Sequence, residues 1–335
     1  MAFFRRLWTA GLLFASAGVG GTMAADVNLI LNWTPTADHS PYYFALAQGW
    51  YKAAGIDLNI ETGKGSGVSA VKVGSGGSAF GISDLATSMV AKGKGADVVA
   101  VMSVYANTPQ GFYWLKSSGI KDAKDFVGRK IGNPPGDAAR VMWPAFAKAA
   151  GIEAGAVSFV NIAPPAKMPA LKSQAVEIIT DFFNEHDLKV REFGADLGYV
   201  GWRQVGLNPY GNSLIVNGAF LKSNPKLVED FVKISQKAFA ACVADAQPCL
   251  KALLGATSGL NEETQTNQWE RIKALMADEF TTTKALGWID GARLKNDYDL
   301  VASYVGIETP FKVDDVFTTR FLDTAIKMDA SKLKP

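Results

Sequence analysis

Apolar and polar positions along this chain follow two rhythms. Short apolar runs at 27–31, 57–62, 79–82 and 97–104 read as strands. Segments at 41–54, 67–74 and 84–94, with apolar residues spaced as on one helix face, lie between them. Gly49, Gly55, Gly74 and Gly95 punctuate the helix ends. This alternation predicts a mainly parallel sheet with helices on both faces. A second unit repeats it, with strands at 111–116, 130–132, 157–161 and 178–182 and helices at 122–126, 136–150 and 165–173. That unit ends around 205–209. A strand at 212–216 then leads into helices at 225–244, 261–276 and 293–305. The expected architecture is α/β with two lobes and a cleft. Residues 26–108 form lobe 1, residues 109–208 form lobe 2, and 209–335 return to lobe 1 with C-terminal helices.

The first 25 residues break the pattern. Arg5-Arg6 precede an apolar stretch from Leu7 to Gly20, and Thr22-Met23-Ala24-Ala25 supply small residues for cleavage. This is the layout of a secretory signal peptide, and it predicts export to the periplasm. The apolar run falls short of the roughly 18 residues of a spanning helix, and no later stretch reaches that length. No stable membrane insertion is expected after processing. The chain carries a formal charge of +2, which Arg5 and Arg6 account for. A neutral mature chain has no electrostatic footprint for nucleic acid. The 310 residues that follow the leader suit two lobes of a monomer.

In open α/β sheets, ligands sit beyond the carboxyl ends of strands, often at helix N-termini with free N–H groups. That rule selects six loops. The first, Asn32 to Tyr43, crowds Trp33, Asp38, His39, Tyr42 and Tyr43 into about a dozen positions, which suits a small-molecule cleft. The second is Gly63-Lys64-Gly65-Ser66-Gly67, which lacks the residue order of a phosphate loop but offers Ser66 as a cap and donor. The third is Ser83-Asp84, with Ser83 read as an N-cap. The fourth holds Gly136 and Asp137. The fifth, Asp181 to His186, places Asn184 and Glu185 beside two Phe, and a carboxylate there accepts paired N–H donors from a ligand. The sixth, around Tyr210, is an expected hinge.

Catalytic patterns are missing. There is no Gly-x-Ser-x-Gly elbow, no GxGxxG after a strand, and His39 and His186 fall in different lobes. Two Cys and two separated His make no metal pattern. No cofactor is expected. Cys242 and Cys249 lie seven apart; on an unbroken helix their Cα atoms would stand about 10 Å apart, too far to bridge. Pro248 argues for a break that lets the second Cys fold back, so a disulfide stays open.

Several stretches together carry a resemblance. They are Leu31-Asn32-Trp33-Thr34-Pro35, Tyr43 to Tyr51, Ala54-Gly55-Ile56-Asp57-Leu58, Phe80-Gly81-Ile82, Leu115 to Ile120, Tyr210-Gly211-Asn212, Gly287-Trp288-Ile289-Asp290 and Arg320-Phe321-Leu322-Asp323. The chain resembles substrate-binding proteins of nitrate/sulfonate/taurine-type ABC transporters, in the branch that binds thiamine-pyrimidine precursors and riboflavin. The resemblance implies a type II periplasmic binding fold. It also implies a small planar or heteroaromatic solute, an ABC permease as partner, Trp33 and a nearby Tyr as stacking walls, and Asn184-Glu185 as a hydrogen-bonding edge. Phe182-Phe183 stand where pyrimidine binders carry a Trp. The same fold leaves a sulfonate, nitrate or aromatic acid as an alternative solute, and ligand sensing as an alternative role. Fungal thiamine-pyrimidine synthases are also similar over Asn32 to Pro41. Their Schiff-base Lys and reactive His correspond to Ser83 and Thr87 here, which lack the amine such chemistry needs.

Overall fold

The computed structural model describes residues 24–333, so nearly all of the expected leader lies outside the described residues. Ten strands alternate with helices: β1 (Ala25–Ile30), β2 (Ile56–Glu61), β3 (Phe80–Asp84), β4 (Val98–Ser103), β5 (Gln110–Leu115), β6 (Lys130–Asn133), β7 (Ser158–Asn161), β8 (Ile178–Phe182), β9 (Leu197–Gly201) and β10 (Asn212–Asn217). They form two five-stranded sheets, ordered β2-β1-β3-β10-β4 and β7-β6-β8-β5-β9. In lobe 1, β1 runs parallel to β2 and β3, while β10 lies antiparallel between β3 and β4. In lobe 2, β6 runs parallel to β7 and β8, and β5 lies antiparallel to β8 and β9. Each sheet thus has one reversed strand, next to the strand at its edge.

The chain passes between the sheets twice, after β4 and after β9, and the crossings are tied together. Thr108 N–H donates to Asn208 Oδ1 at 3.0 Å, and Asn208 Nδ2 donates to Asn107 Oδ1 at 2.9 Å. Arg293, on helix Gly291–Tyr304, donates to the carbonyls of Ala106 and Asn208, one on each crossing. Its guanidinium also lies 4.1 Å from the centre of the Tyr210 ring.

Several local expectations change. The helix expected at 41–54 is two, Ser40–Ala47 and Trp50–Ala53, because Gly49 adopts φ 70°, a left-handed conformation that ends the first. The helix expected at 136–150 divides into Ala138–Val141 and Trp143–Ala150. Pro144 enters the second in its first turn, where its missing N–H costs nothing. The short strand expected at 79–82 extends to Asp84, so Ser83 lies within it. The cap of helix Leu85–Gly93 is Asp84, which accepts from Thr87 N–H at 3.1 Å. Strand β9 and helices His186–Phe193, Gly218–Ser223, Gln247–Ala256 and Glu279–Thr283 were not anticipated.

Cys242 and Cys249 are bonded, with Cα atoms 5.8 Å apart. Helix Pro225–Ala244 stops, and Gln247–Ala256 restarts with Pro248 in its first turn. That break brings the two Cα atoms within bridging distance. No helix among the described residues is long and apolar enough to cross a membrane.

Candidate binding cleft

A cavity of about 430 Å³, counting its open mouth, lies between the lobes. Its lobe 1 wall comes from Asn32, Trp33, Thr36, Asp38, Gly65 and Ser66. The lobe 2 wall comes from Asp137 and Ala138 after β6, Lys167, and Asp181, Phe182 and Glu185 at the end of β8. Gln110 joins them from the first position of β5. Because β5 runs against its neighbours, its amino end lies level with the carboxyl end of β8.

Of the residues singled out from the sequence, Trp33, Asp38, Ser66, Asp137 and Glu185 meet at this cavity. The others lie behind it or away from it. His39 is buried under the first loop. Thr36 N–H donates to its Nδ1 at 3.1 Å, so the ring proton sits on Nε2, which faces Asn32 Oδ1 at 3.0 Å. Burial pushes the His39 pKa below its ordinary value, against the pull of Asp38. A neutral His39 therefore fixes the turn that presents Asn32, Trp33 and Asp38. Ser83 donates to the Ser66 carbonyl at 3.0 Å, and Asp84 N–H donates to Ser66 Oγ at 3.0 Å. Both hold the Ser66 loop from below. Tyr43 is half-buried against the lobe 1 core. Gly136 meets lobe 1 through its backbone: Gly67 N–H donates to its carbonyl at 3.0 Å. Asn184 is buried beneath the wall. Tyr210 lies just before β10, where its hydroxyl accepts from Asp290 N–H at 2.9 Å and its own N–H donates to Asp297 at 2.9 Å.

The lobe 2 wall is a charge network. Lys167 Nζ lies 3.5 Å from Asp137 and 3.7 Å from Asp181, and Lys189 Nζ lies 2.5 Å from Asp181 and 3.7 Å from Glu185. Asp137 also caps the next helix through Ala139 N–H at 2.9 Å and accepts from Thr180 at 3.1 Å. Burial favours a neutral Asp181, but Lys167 and Lys189 outweigh it and hold the carboxyl below its usual value. Burial likewise opposes the Lys167 charge, yet Asp181, Asp137 and Glu185 together keep its pKa above normal. Glu185 is pushed up to about 7 by burial and by Asp181, against Lys189 and Lys167.

Residues 36–248 match the family described as NMT1/THI5 like. The chain belongs to that family. Two relatives of this NMT1/THI5-like protein align over most of both chains. The riboflavin-binding protein RibY of Chloroflexus aurantiacus is 23% identical over 313 residues, covering 89% of this chain and 86% of its own. The 4-amino-5-hydroxymethyl-2-methylpyrimidine phosphate synthase of Legionella pneumophila is 24% identical over 323 residues, covering 94% and 96%. Among solved structures, the alkanesulfonate-binding protein SsuA from Xanthomonas axonopodis pv. citri, bound to MOPS, matches with a TM-score of 0.71 at 12% identity, over 89% of this chain and 99% of its own. The fold of this NMT1/THI5-like chain is therefore that of the periplasmic binding proteins.

Lys167 was absent from the sequence candidates, and so was Gln110. Lys167 opens helix Lys167–Lys172, and nothing in its local sequence distinguishes it from surface lysines. Gln110 needed the reversed direction of β5.

Proposed function

We propose that this protein is an exported solute-binding protein of an ABC importer, which encloses a small planar or heteroaromatic solute between its lobes and presents it to a permease. The carrying observation is the cavity itself. An indole face from lobe 1 stands opposite a hydrogen-bonding wall from lobe 2, so a flat solute gains both sets of contacts only when the lobes are closed. Relatives named as riboflavin binder and alkanesulfonate binder support the class of role. The sequence leader supports export.

A relative named as a pyrimidine synthase raises the enzyme reading. Schiff-base chemistry needs an amine that sheds its proton near neutral pH. Lys167 is the amine lining the cleft, and its three acidic neighbours hold it as an ammonium. That favours binding over turnover. A thermal-shift screen of pyrimidines, flavins, aromatic acids, sulfonates and nitrate tests the proposal, since a ligand that binds only the folded state raises Tm with its concentration. Concentration-dependent stabilisation without consumption of the solute is the expected result. Turnover of any of these compounds would overturn it.

A further inference from the structure

We propose that Lys167 gates the stacking face of Trp33: its ammonium occupies the place of a flat solute, which binds only by displacing it. The inference rests on the solute-binding reading above and concerns the regulation of that same cleft.

The contact joins the two lobes. Trp33 stands in the first loop of lobe 1, and Lys167 opens helix Lys167–Lys172 of lobe 2. Lys167 Nζ lies 4.4 Å from the centre of the indole ring. Both residues line the cavity, so the ammonium covers a face of the indole that belongs to the cavity. Lys167 is only 3% exposed, and Asp137 and Asp181 brace its Nζ from lobe 2 at 3.5 and 3.7 Å. An ammonium over an indole is attractive in its own right, and more so where water is excluded. The protein thus supplies its own occupant for this face.

The spacing decides what a flat solute must do. Stacked rings meet at about 3.5–4.0 Å, and the ammonium needs a similar distance beyond them, roughly 7 Å in all. A separation of 4.4 Å leaves no layer for a ring between Nζ and Trp33. Stacking on this face therefore requires Lys167 to move aside. The displaced charge has somewhere to go. Asp181, Asp137 and Glu185 all attract Lys167 from the same wall, and the ammonium hangs on a flexible four-carbon stem. It can slide along that wall without losing its countercharge. Such a gate sets a threshold. A solute that stacks strongly on Trp33 offsets the lost contact, whereas a non-aromatic anion gains nothing there.

The test uses the full mature protein, two flat probes uncharged at neutral pH, riboflavin and 4-aminopyrimidine, and two non-aromatic anions, MOPS and nitrate. In protein labelled with ¹³C-lysine, the ring current of Trp33 should shift one lysine ε-methylene signal upfield, a signal absent from Trp33→Leu. Saturation with a flat probe should return that signal to the ordinary position. The signal of Lys237, whose Nζ lies 3.9 Å from the centre of the Trp50 ring outside the cleft, should stay put. By calorimetry, Lys167→Ala, checked for folding by circular dichroism, should bind the flat probes about three- to thirtyfold tighter than wild type, the range of one cation–π contact. It should gain nothing for MOPS or nitrate. Lack of a Trp33-dependent lysine signal overturns the inference, and so does a signal that persists under a saturating flat probe. Equal or weaker binding of the flat probes by folded Lys167→Ala overturns it too. If Lys167→Ala does not fold, the lysine signal in the wild type decides. Binding by the wild type with no gain in the variant sinks the gate alone, whereas failure of every probe, here and in the wider screen, sinks the solute-binding reading and the gate with it.

Discussion

Arg271 and Asp187 join the two lobes through a two-pronged ion pair, with Nη1 and Nη2 at 2.6 and 2.7 Å from the two carboxylate oxygens. Arg271 sits on helix Glu262–Met276, whose Trp269, Ile272 and Leu275 belong to the lobe 1 core, while Asp187 lies in the first turn of helix His186–Phe193 of lobe 2. Both side chains are about a quarter to a third exposed, at 26% and 32%. Solvent therefore limits the pair to about 1 kcal/mol. That contribution is made only when the lobes meet. Arg271→Ala should shift the population toward the open form and weaken solute binding about fivefold. Titration calorimetry checks the affinity and small-angle scattering the apo radius. Unchanged values in both would remove the pair from closure.

Trp33→Ala should weaken binding by about tenfold or more, because an aromatic face contributes roughly 1–3 kcal/mol of stacking and desolvation. The ring is half-buried in a loop, so the melting temperature should fall little. An affinity equal to wild type in the folded variant would place the solute elsewhere.

Gly65 lies where the lobes touch. It has φ 124°, and an added Cβ would stand 2.5 Å from the Gly136 carbonyl oxygen across the cleft. Gly65→Ala should hold the lobes apart. The expected signature is a radius of gyration that stays at the apo value under saturating solute, together with at least tenfold weaker binding. Normal compaction of this variant would mean that the backbone yields at this contact.

Burial raises Glu185 to about 7, from an ordinary value of 4.5. The folded state therefore prefers this carboxyl protonated, and its contribution to stability is complete below pH 4.5 and lost as pH rises through 7. Asp38 from the first loop, Asp181 from β8, Lys167, Lys189, Tyr105 and Tyr113 all face it. Glu185→Gln mimics the protonated form. Its stability relative to wild type should be even near pH 4 and grow in its favour up to pH 7.5, as read from urea midpoints. Parallel curves for the two proteins would show that Glu185 ionises freely.

The strand-to-helix loops were legible in the sequence where a strand keeps the direction of its sheet. Asn32 to Asp38, Ser66, Asp137 and Glu185 all follow parallel strands, and all but the linking residues between them reach the cavity. The same reading misplaced Ser83, because one more turn of extended chain moves the cap to Asp84. Helix His186–Phe193 escaped notice because its polar sequence shows little apolar periodicity. Strand β9, Leu-Gly-Tyr-Val-Gly, escaped because two glycines dilute it. One of them, Gly198, leaves room that Trp114 fills. Arg293 ties the two crossings together through carbonyls 85 and 187 residues away, which no local pattern records.

The position of β10 also orders events in time. It pairs with β3 and β4 on either side, so the first sheet stays divided until Asn217 has been synthesised. Lobe 2, whose five strands are contiguous from Gln110 to Gly201, has no such wait. Closing a gap of more than a hundred residues between β4 and β10 makes lobe 1 the slower half to form. A chain emerging amino end first thus presents four strands of its first sheet well before the fifth that joins β3 to β4.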